Sequence, residues 1–267
     1  SKANTEARVT SVVNVNQGEE IAGVNNVQGI FASGLSDSLS SLASGGNSTA
    51  KLNTITGDDG DVAITVSDSA FTTSNATLTA ADLIAVGGAT TGTVTVTNAV
   101  KISGDTSQLT NTLVSGSSSV TASSALVTVS DAAFSTSNAT IAATALSDIG
   151  GKTSGAVTVT KAVKISGATA DLTNTLVSGS SLVIASSALV TVSDDAFTTS
   201  SATIAATTLS NIGGKTSGAV TVTKAVKITG ATADLTNTLV SGSSLVIAGS
   251  ALVTVSDAAF STSNATI

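Results

Sequence analysis

The chain contains no Cys, His, Trp, Tyr, Met or Pro, and most of these gaps exclude something. Without Cys there are no disulfides. Without His there is no histidine general base for a nucleophile, and the two absences together remove the usual zinc ligands. Aromatics make up 2% of residues, so a core must be built from Val, Ile, Leu and Ala. Charge is also scarce, at 10% of residues against roughly 25% in ordinary globular chains. The sequence has no run of 18 apolar residues, which excludes a membrane-spanning helix. Its first residues, SKANTEARVTSVVNV, lack the basic start and apolar middle of a signal peptide.

Val and Thr dominate what is present. Both are stiff at χ1 and suit a pleated surface, so they point to strands. Ser, Thr, Asn and Gly replace the missing charges on the polar side. A net charge of −7 over 267 residues speaks against nucleic-acid binding, which requires a basic stripe to displace phosphate counterions.

The phrase VTVSD-x-AF, with Ile64 in place of its first Val in the first copy, recurs, and it places Phe71, Phe134, Phe197 and Phe260 at one constant interval. Complete units span 64–126, 127–189 and 190–252. A fourth begins at 253 and stops at Ile267, which predicts a protein that continues further. Units two and three differ at seven positions: Ala132/Asp195, Ser135/Thr198, Asn138/Ser201, Ala145/Thr208, Asp148/Asn211, Ser166/Thr229 and Ser186/Gly249. All seven exchange small or polar residues, the pattern expected of a tolerant exterior over a packed interior. Recent duplication would give the same pattern. The constant Phe ladder and the aliphatic positions under it are therefore the expected core. Leu182 and Ile184 stand where the first unit has Ser119 and Thr121, with Val120 and Val183 between them. Period-two alternation points these two valines inward.

A weaker half-repeat relates AVTVTKAVKISG at 156–167 to LVIASSALVTVSD at 182–194. Each half reads as strand, corner, strand, followed by a segment of helical spacing. In one half that segment is marked by Leu172, Leu176 and Val177. In the other it is marked by Ile141, Ala145, Leu146 and Ile149, with Ser137 or Asn138 as N-cap and Gly150-Gly151 as the stop. The predicted fold is a β-rich solenoid with short helices on one side and about two coils per repeat unit, each coil burying its face against the next.

The phrases VTVSD, SGAVTVT and KISGATADLTNTL, over about residues 60–267, resemble the repeats of very large secreted surface and matrix proteins of cyanobacteria and proteobacteria. The resemblance implies export, great length and a surface or matrix role. GGxGxD nonapeptides are missing here, so calcium-driven folding is not implied.

Residues 1–63 do not follow the repeat. Val9, Val13 and Val15 suggest a strand, while Val24, Val27, Phe31, Leu35, Leu39 and Leu42 fall at helical spacings interrupted by Gly23, Gly29 and Gly34. SGGNST at 44–49 reads as a linker. Such a segment serves either as a cap over an apolar end or as a joint docking on another molecule.

Candidate chemistry is sparse. Lys161, Lys164, Lys224 and Lys227 lie among serines, and as repeated positions they read as solvated strand residues rather than Ser–Lys catalysts. Asp58, Asp59 and Asp61 around Gly60 are the calcium candidate, since hard oxygen ligands at a glycine turn suit that ion; the spacing falls short of an EF-hand loop, and an ordinary polar turn is the preferred reading. Asp131, Asp194 and Asp257 follow VTVS and are expected to form turns with their own backbone. The pairs Thr95/Thr97, Thr158/Thr160 and Thr221/Thr223 would order water or bind ice if stacked, but one pair per repeat makes a thin array. Asn75, Asn138 and Asn264 are sequons that also read as helix caps. Together these features predict a non-enzymatic extracellular repeat protein without a cofactor, acting as a spacer or self-associating into a fibre or layer. The alternative is an adhesin or other module binding glycans, a host surface or ice.

Overall fold

The structure, a computed structural model, describes residues 5–73, 77–116, 120–136, 140–199 and 203–258. Short parallel strands alternate with short helices, which makes the chain mixed α/β. It divides into two compact units, Ser1–Ser130 with Asp148–Val157, and Asp131–Ser147 with Thr158–Ile267.

In the second unit the strands Ile141–Ala142, Lys164–Gly167, Leu189–Val192, Val220–Val222 and Val246–Ile247 form one parallel ladder. Its registers are Ile141↔Ile165, Ile165↔Val190, Val190↔Val220 and Val220↔Val246, so each rung is one similar stretch of chain beyond the last. A second ladder holds Ile204–Ala205, Lys227–Gly230 and Leu252–Val255. Alternation drives each rung. Val190 and Val192 are buried and Thr191 between them is not, so two methyl-rich side chains leave water per rung while the hydroxyl stays outside.

These registers revise the count of two steps per repeat. Ile141 and Ile204 are the same repeat position, and they pair with Ile165 and Ile228, which are also equivalent. Yet Ile141 stands in the first ladder and Ile204 in the second. Two steps lead from Ile141 to Val190, and Ile204 follows half a step later. One repeat therefore makes two and a half ladder steps, and successive copies alternate between ladders.

The first unit repeats this logic. One ladder contains Leu35–Asp37, Ile64–Val66, Val94–Val96 and Val120–Thr121, and another contains Leu78–Thr79, Lys101–Gly104 and Leu126–Val129. Residues before the repeat thus supply the first rung, Leu35–Asp37, and Val13 bridges to Leu35 in parallel. The helical reading of 24–42 gives way to strands Val27–Phe31 and Leu35–Asp37, leaving only the helical turn Leu39–Leu42. Pairing of Leu35 with Ile64 outweighs the helical spacing, and Gly34, at φ 76°, makes the turn between the two strands. The helix lies earlier, at Val15–Ala22, where Asn14 and Gln17 form a capping box. Val15 opens that helix instead of belonging to a strand; the strand is Thr5–Val9. The expected linker is a tight hairpin, Ala43–Ser44 against Asn47–Ser48, turned by Gly45 and Gly46 at φ 61° and 78°.

The expected helices are present. Thr169–Leu172 runs into a π-helical turn, Thr173–Val177, that buries Leu172 and Leu176. Ile141 belongs to a strand, and the helix Ala143–Gly150 follows it, with Leu146 and Ile149 buried. Ser137 and Asn138 lie outside the described residues. Threonine is a poor helix former, but here it has a specific task. The buried Thr175 hydroxyl donates to the Ala143 carbonyl at 2.8 Å, and Thr238 repeats the bond to Ala206 at 2.9 Å. As alternation requires, Val120 and Val183 point inward, while Thr121 and Ile184 are exposed.

The repeated T-x-G within KTSGAV clamps adjacent steps. In the second unit Thr216 donates its hydroxyl to the Ala188 carbonyl and accepts from Gly218 N at 3.1 Å. A Cβ on Gly218 would stand 2.2 Å from that same carbonyl oxygen, so only glycine permits the approach. Thr90 with Gly92, and Thr153 with Gly155, make the same clamp in the first unit. Thr216→Val keeps the shape but strands a buried carbonyl and an N–H, and is expected to cost about 2 kcal/mol. Gly218→Ala should cost about 1–3 kcal/mol by overpacking against backbone. Urea unfolding of both variants measures these losses; unchanged midpoints would refute the clamp.

Candidate functional site

Phe71, Phe134 and Phe197 are half-buried on loops, and Phe260 lies outside the described residues. They are not a core ladder. Within the second unit the Phe134 N–H donates to Ala162 O and the Phe197 N–H to Ala225 O, at 2.8 and 2.9 Å. Lys164 Nζ lies 5.2 Å from the centre of the Phe134 ring, and Lys227 Nζ lies 5.2 Å from that of Phe197. Lys164 belongs to one ladder and Lys227 to the other, so the half step sends successive phenylalanines to different ladders. Lys101 covers Phe71 in the first unit in the same way. Each ring fastens a loop by a cation–π contact worth about 0.5–1 kcal/mol at an exposed site. Lys164 and Lys227 are therefore engaged with aromatic faces. Lys224 forms an exposed ion pair with Asp195 at 2.8 Å, which holds the Asp195 carboxyl below its usual range.

Asp194 and Asp257 act at long range rather than as local turns. Asp194 Oδ2 accepts from the Thr169 N–H at 2.7 Å and from the Thr169 hydroxyl at 2.6 Å, capping a helix 25 residues back. That helix has Ala168 at its N-cap position, with no side chain able to serve. Asp257 caps Thr232 identically. In the first unit Asp68 accepts from Leu39 N at 2.7 Å and Asp37 from Val15 N at 3.1 Å. Asp131 occupies the same repeat position. Asp68, Asp194 and Asp257 thus each tie the strand they follow to the helix of an earlier step, at the end where the helix dipole favours negative charge. Asp194→Ala should lose about 1–2 kcal/mol by chemical denaturation, and Asp194→Asn, which keeps an acceptor, clearly less. Equal losses would show that the bond contributes little.

The acidic cluster closes the helix Ala50–Asp58. Asp58 Oδ2 accepts from Gly29 N at 3.3 Å, and Asp59 Oδ2 accepts from Phe31 N at 2.6 Å. Two of the three calcium candidates thus serve the backbone of strand Val27–Phe31. Among the described residues no group of three acidic side chains comes together as a metal site. Asp59 is 8% exposed, and burial pushes its carboxyl up from the ordinary value; the Phe31 N–H opposes this, and hydrogen bonding with Asp61 and its charge add to it. A carboxyl raised in the fold stabilises below its unfolded pKa and loses that contribution as pH rises through the folded one. Asp59→Asn removes the ionisation, so its stability relative to the parent should improve more at pH 7 than at pH 4. A difference that is constant with pH would contradict the assignment.

Outward hydroxyls form longer files than the Thr pairs alone suggested. Thr95 stands between Thr65 and Thr121 in register, and Ser36 adjoins Thr65, giving one hydroxyl per rung about 4.8 Å apart. In the second unit the file reads Ser166, Thr191, Thr221 and ends on Ile247. Thr158 and Thr160 are also turned outward. The sequons Asn75, Asn138 and Asn264 lie outside the described residues.

An open groove of about 520 Å³ in the second unit is lined by Thr169, Thr173, Asn174, Thr203 and Thr208, with Asp194 at its wall. Its only carboxylate is already committed to Thr169. No helix among the described residues is long and apolar enough to cross a membrane. Comparison with protein-family models, curated proteins and solved structures gives no match to this chain.

Proposed function

We propose that the chain is a non-enzymatic structural repeat protein of the cell exterior, a solenoid of stacked strand–helix steps acting as a spacer or assembling through its ends. The observation that carries this reading is the ladder register. The T-x-G clamp, the aspartate caps and the Lys–Phe contacts are all directed at a neighbouring step of the same chain, and each recurs with the repeat. Residues 1–63 serve as a cap in this reading, since Leu35–Asp37 starts a ladder and Val13 closes onto it. Export and a surface or matrix location rest on the resemblance of VTVSD, SGAVTVT and KISGATADLTNTL to secreted repeat proteins.

Small-angle scattering of the purified monomer tests the solenoid: an elongated particle is expected, and a compact one would overturn it. A second reading is favoured by the file Ser36, Thr65, Thr95 and Thr121, a regular row of hydroxyls able to order water or meet a polyhydroxylated surface. Thermal hysteresis and glycan-array binding test that reading, and a blank result in both would remove it.

A further inference from the structure

The chain has three glutamates, Glu6, Glu19 and Glu20, and a single lysine, Lys51, between residues 3 and 100. In so charge-poor a sequence, Lys51 and Glu19 meet at a carboxamide. Lys51 Nζ donates to Asn16 Oδ1 at 2.7 Å and lies 3.2 Å from Glu19 Oε2. An amine, a carboxamide and a carboxylate therefore share one point, on the surface of the segment that precedes the repeat.

Two helices hold this group in place. Asn16 and Glu19 are neighbours one turn apart on Val15–Ala22, and Lys51 is the second residue of Ala50–Asp58. Each helix start is fixed by a cap: the Asn14–Gln17 box in one, and in the other the Thr49 hydroxyl, which accepts from Leu52 N. The helices pack on each other with Val15, Gly18, Leu52 and Ile55 buried, and a Cβ on Gly18 would stand 2.7 Å from Ile55 Cδ1. Their separation is thus set by core contacts, not by the three polar groups. Fixed placement of this kind raises the effective concentration of two reactants to about 10⁵ M or more in well-oriented cases. Asn16 also lies in the first turn of its helix, where free N–H groups favour the negative oxygen that attack on its side-chain carbonyl creates. An ion pair alone would need only Lys51 and Glu19. The hydrogen bond to Asn16 Oδ1 sets the amine beside an electrophilic carbon.

We propose that Lys51 and Asn16 become joined by an isopeptide bond, with Glu19 carrying the proton. The Glu19 carboxylate takes a proton from the Lys51 ammonium, and the freed Nζ adds to Cγ of Asn16, moving the carbonyl electrons onto Oδ1. As those electrons return, Glu19 gives its proton to Nδ2 and the Cγ–Nδ2 bond breaks. Ammonia leaves as ammonium with the second proton that Nζ sheds. Nothing is oxidised or reduced, Glu19 is regenerated, and no co-reactant is required. Lys51 and Glu19 are 47% and 39% exposed, so solvent screens the pair and the reaction is a slow ageing of the folded chain. Its product fastens the first helix to the helix Ala50–Asp58 in a protein that has no Cys with which to do so.

The purified full chain, incubated at alkaline pH to supply free amine, should become lighter by one ammonia. Tandem mass spectrometry of a digest should then find a branched peptide joining residues 16 and 51. Ring closure of Asn16 on its own backbone also loses ammonia, so Lys51→Arg, which leaves that route open, must abolish the branch and with it most of the mass loss. Glu19→Gln should slow formation of the branch about a hundredfold, as loss of a general base does. All three positions are on the surface, and the circular dichroism spectra of both variants should match the parent. Absence of the branched peptide after prolonged incubation, a mass loss that persists in Lys51→Arg, or a branch that forms as fast in Glu19→Gln would overturn the triad. None of these outcomes alters the scattering profile of the monomer, so failure of the cross-link and failure of the solenoid reading are told apart.

Discussion

Among the described residues the ladder strands are too short to persist alone, and each exists because a parallel partner lies one step away along the chain. One or two inward Val or Ile side chains per rung, each worth about 1.5–3 kcal/mol when fully buried, are shielded only if the next rung is in register. A slip of one residue would turn them all to solvent. Register is held by bonds of the same reach. Thr216 reaches back 28 residues to Ala188, Asp194 reaches 25 to Thr169, and Thr175 reaches 32 to Ala143. Stacking brings the partners together, and the bonds, with Gly218 admitting only a close approach, exclude neighbouring registers.

The half step follows from lengths that no single residue encodes. Two steps carry the chain from Ile141 through Ile165 to Val190, and the shorter stretch that follows brings Ile204 to the other ladder. A unit can therefore be copied almost without change while its copies occupy alternating ladders. The seven differences between units two and three are compatible with this, since each position must suit only the one local geometry it meets in both ladders.

Much of this was legible from residue type. Val120 and Val183 point inward because alternation requires it, and Leu172 and Leu176 lie in a helical segment because their spacing requires it. Phe134 and Phe197 misled because large apolar residues are usually interior; here Lys164 and Lys227, remote in sequence, cover the two rings, and only the fold brings them close. Asp194 misled in the same way: Asp after a strand suits a local turn, and nothing nearby in sequence shows that Ala168 leaves an earlier helix uncapped. At Leu35 the helical spacing was real, but tertiary pairing with Ile64 prevailed over local preference. The T-x-G clamp had a visible signal, a glycine kept two residues after a threonine in all three copies, whose meaning required knowing what backbone it approached.

Alternation between ladders also bears on why charge can be so scarce. In a stack of near-identical copies any charged side chain recurs, and a whole number of steps per repeat would set each Lys above its own copy at two-step intervals, about 10 Å apart. That is near the screening length at physiological salt, so such a column would repel itself along its whole length. The half step instead places Lys164 and Lys227 in different ladders, and each stands in register with a leucine, Leu189 and Leu252, whose surface accommodates the aliphatic stem. Many other outward strand positions, Thr65, Thr95, Ser166, Thr191 and Thr221 among them, carry hydroxyls, which can repeat without repulsion.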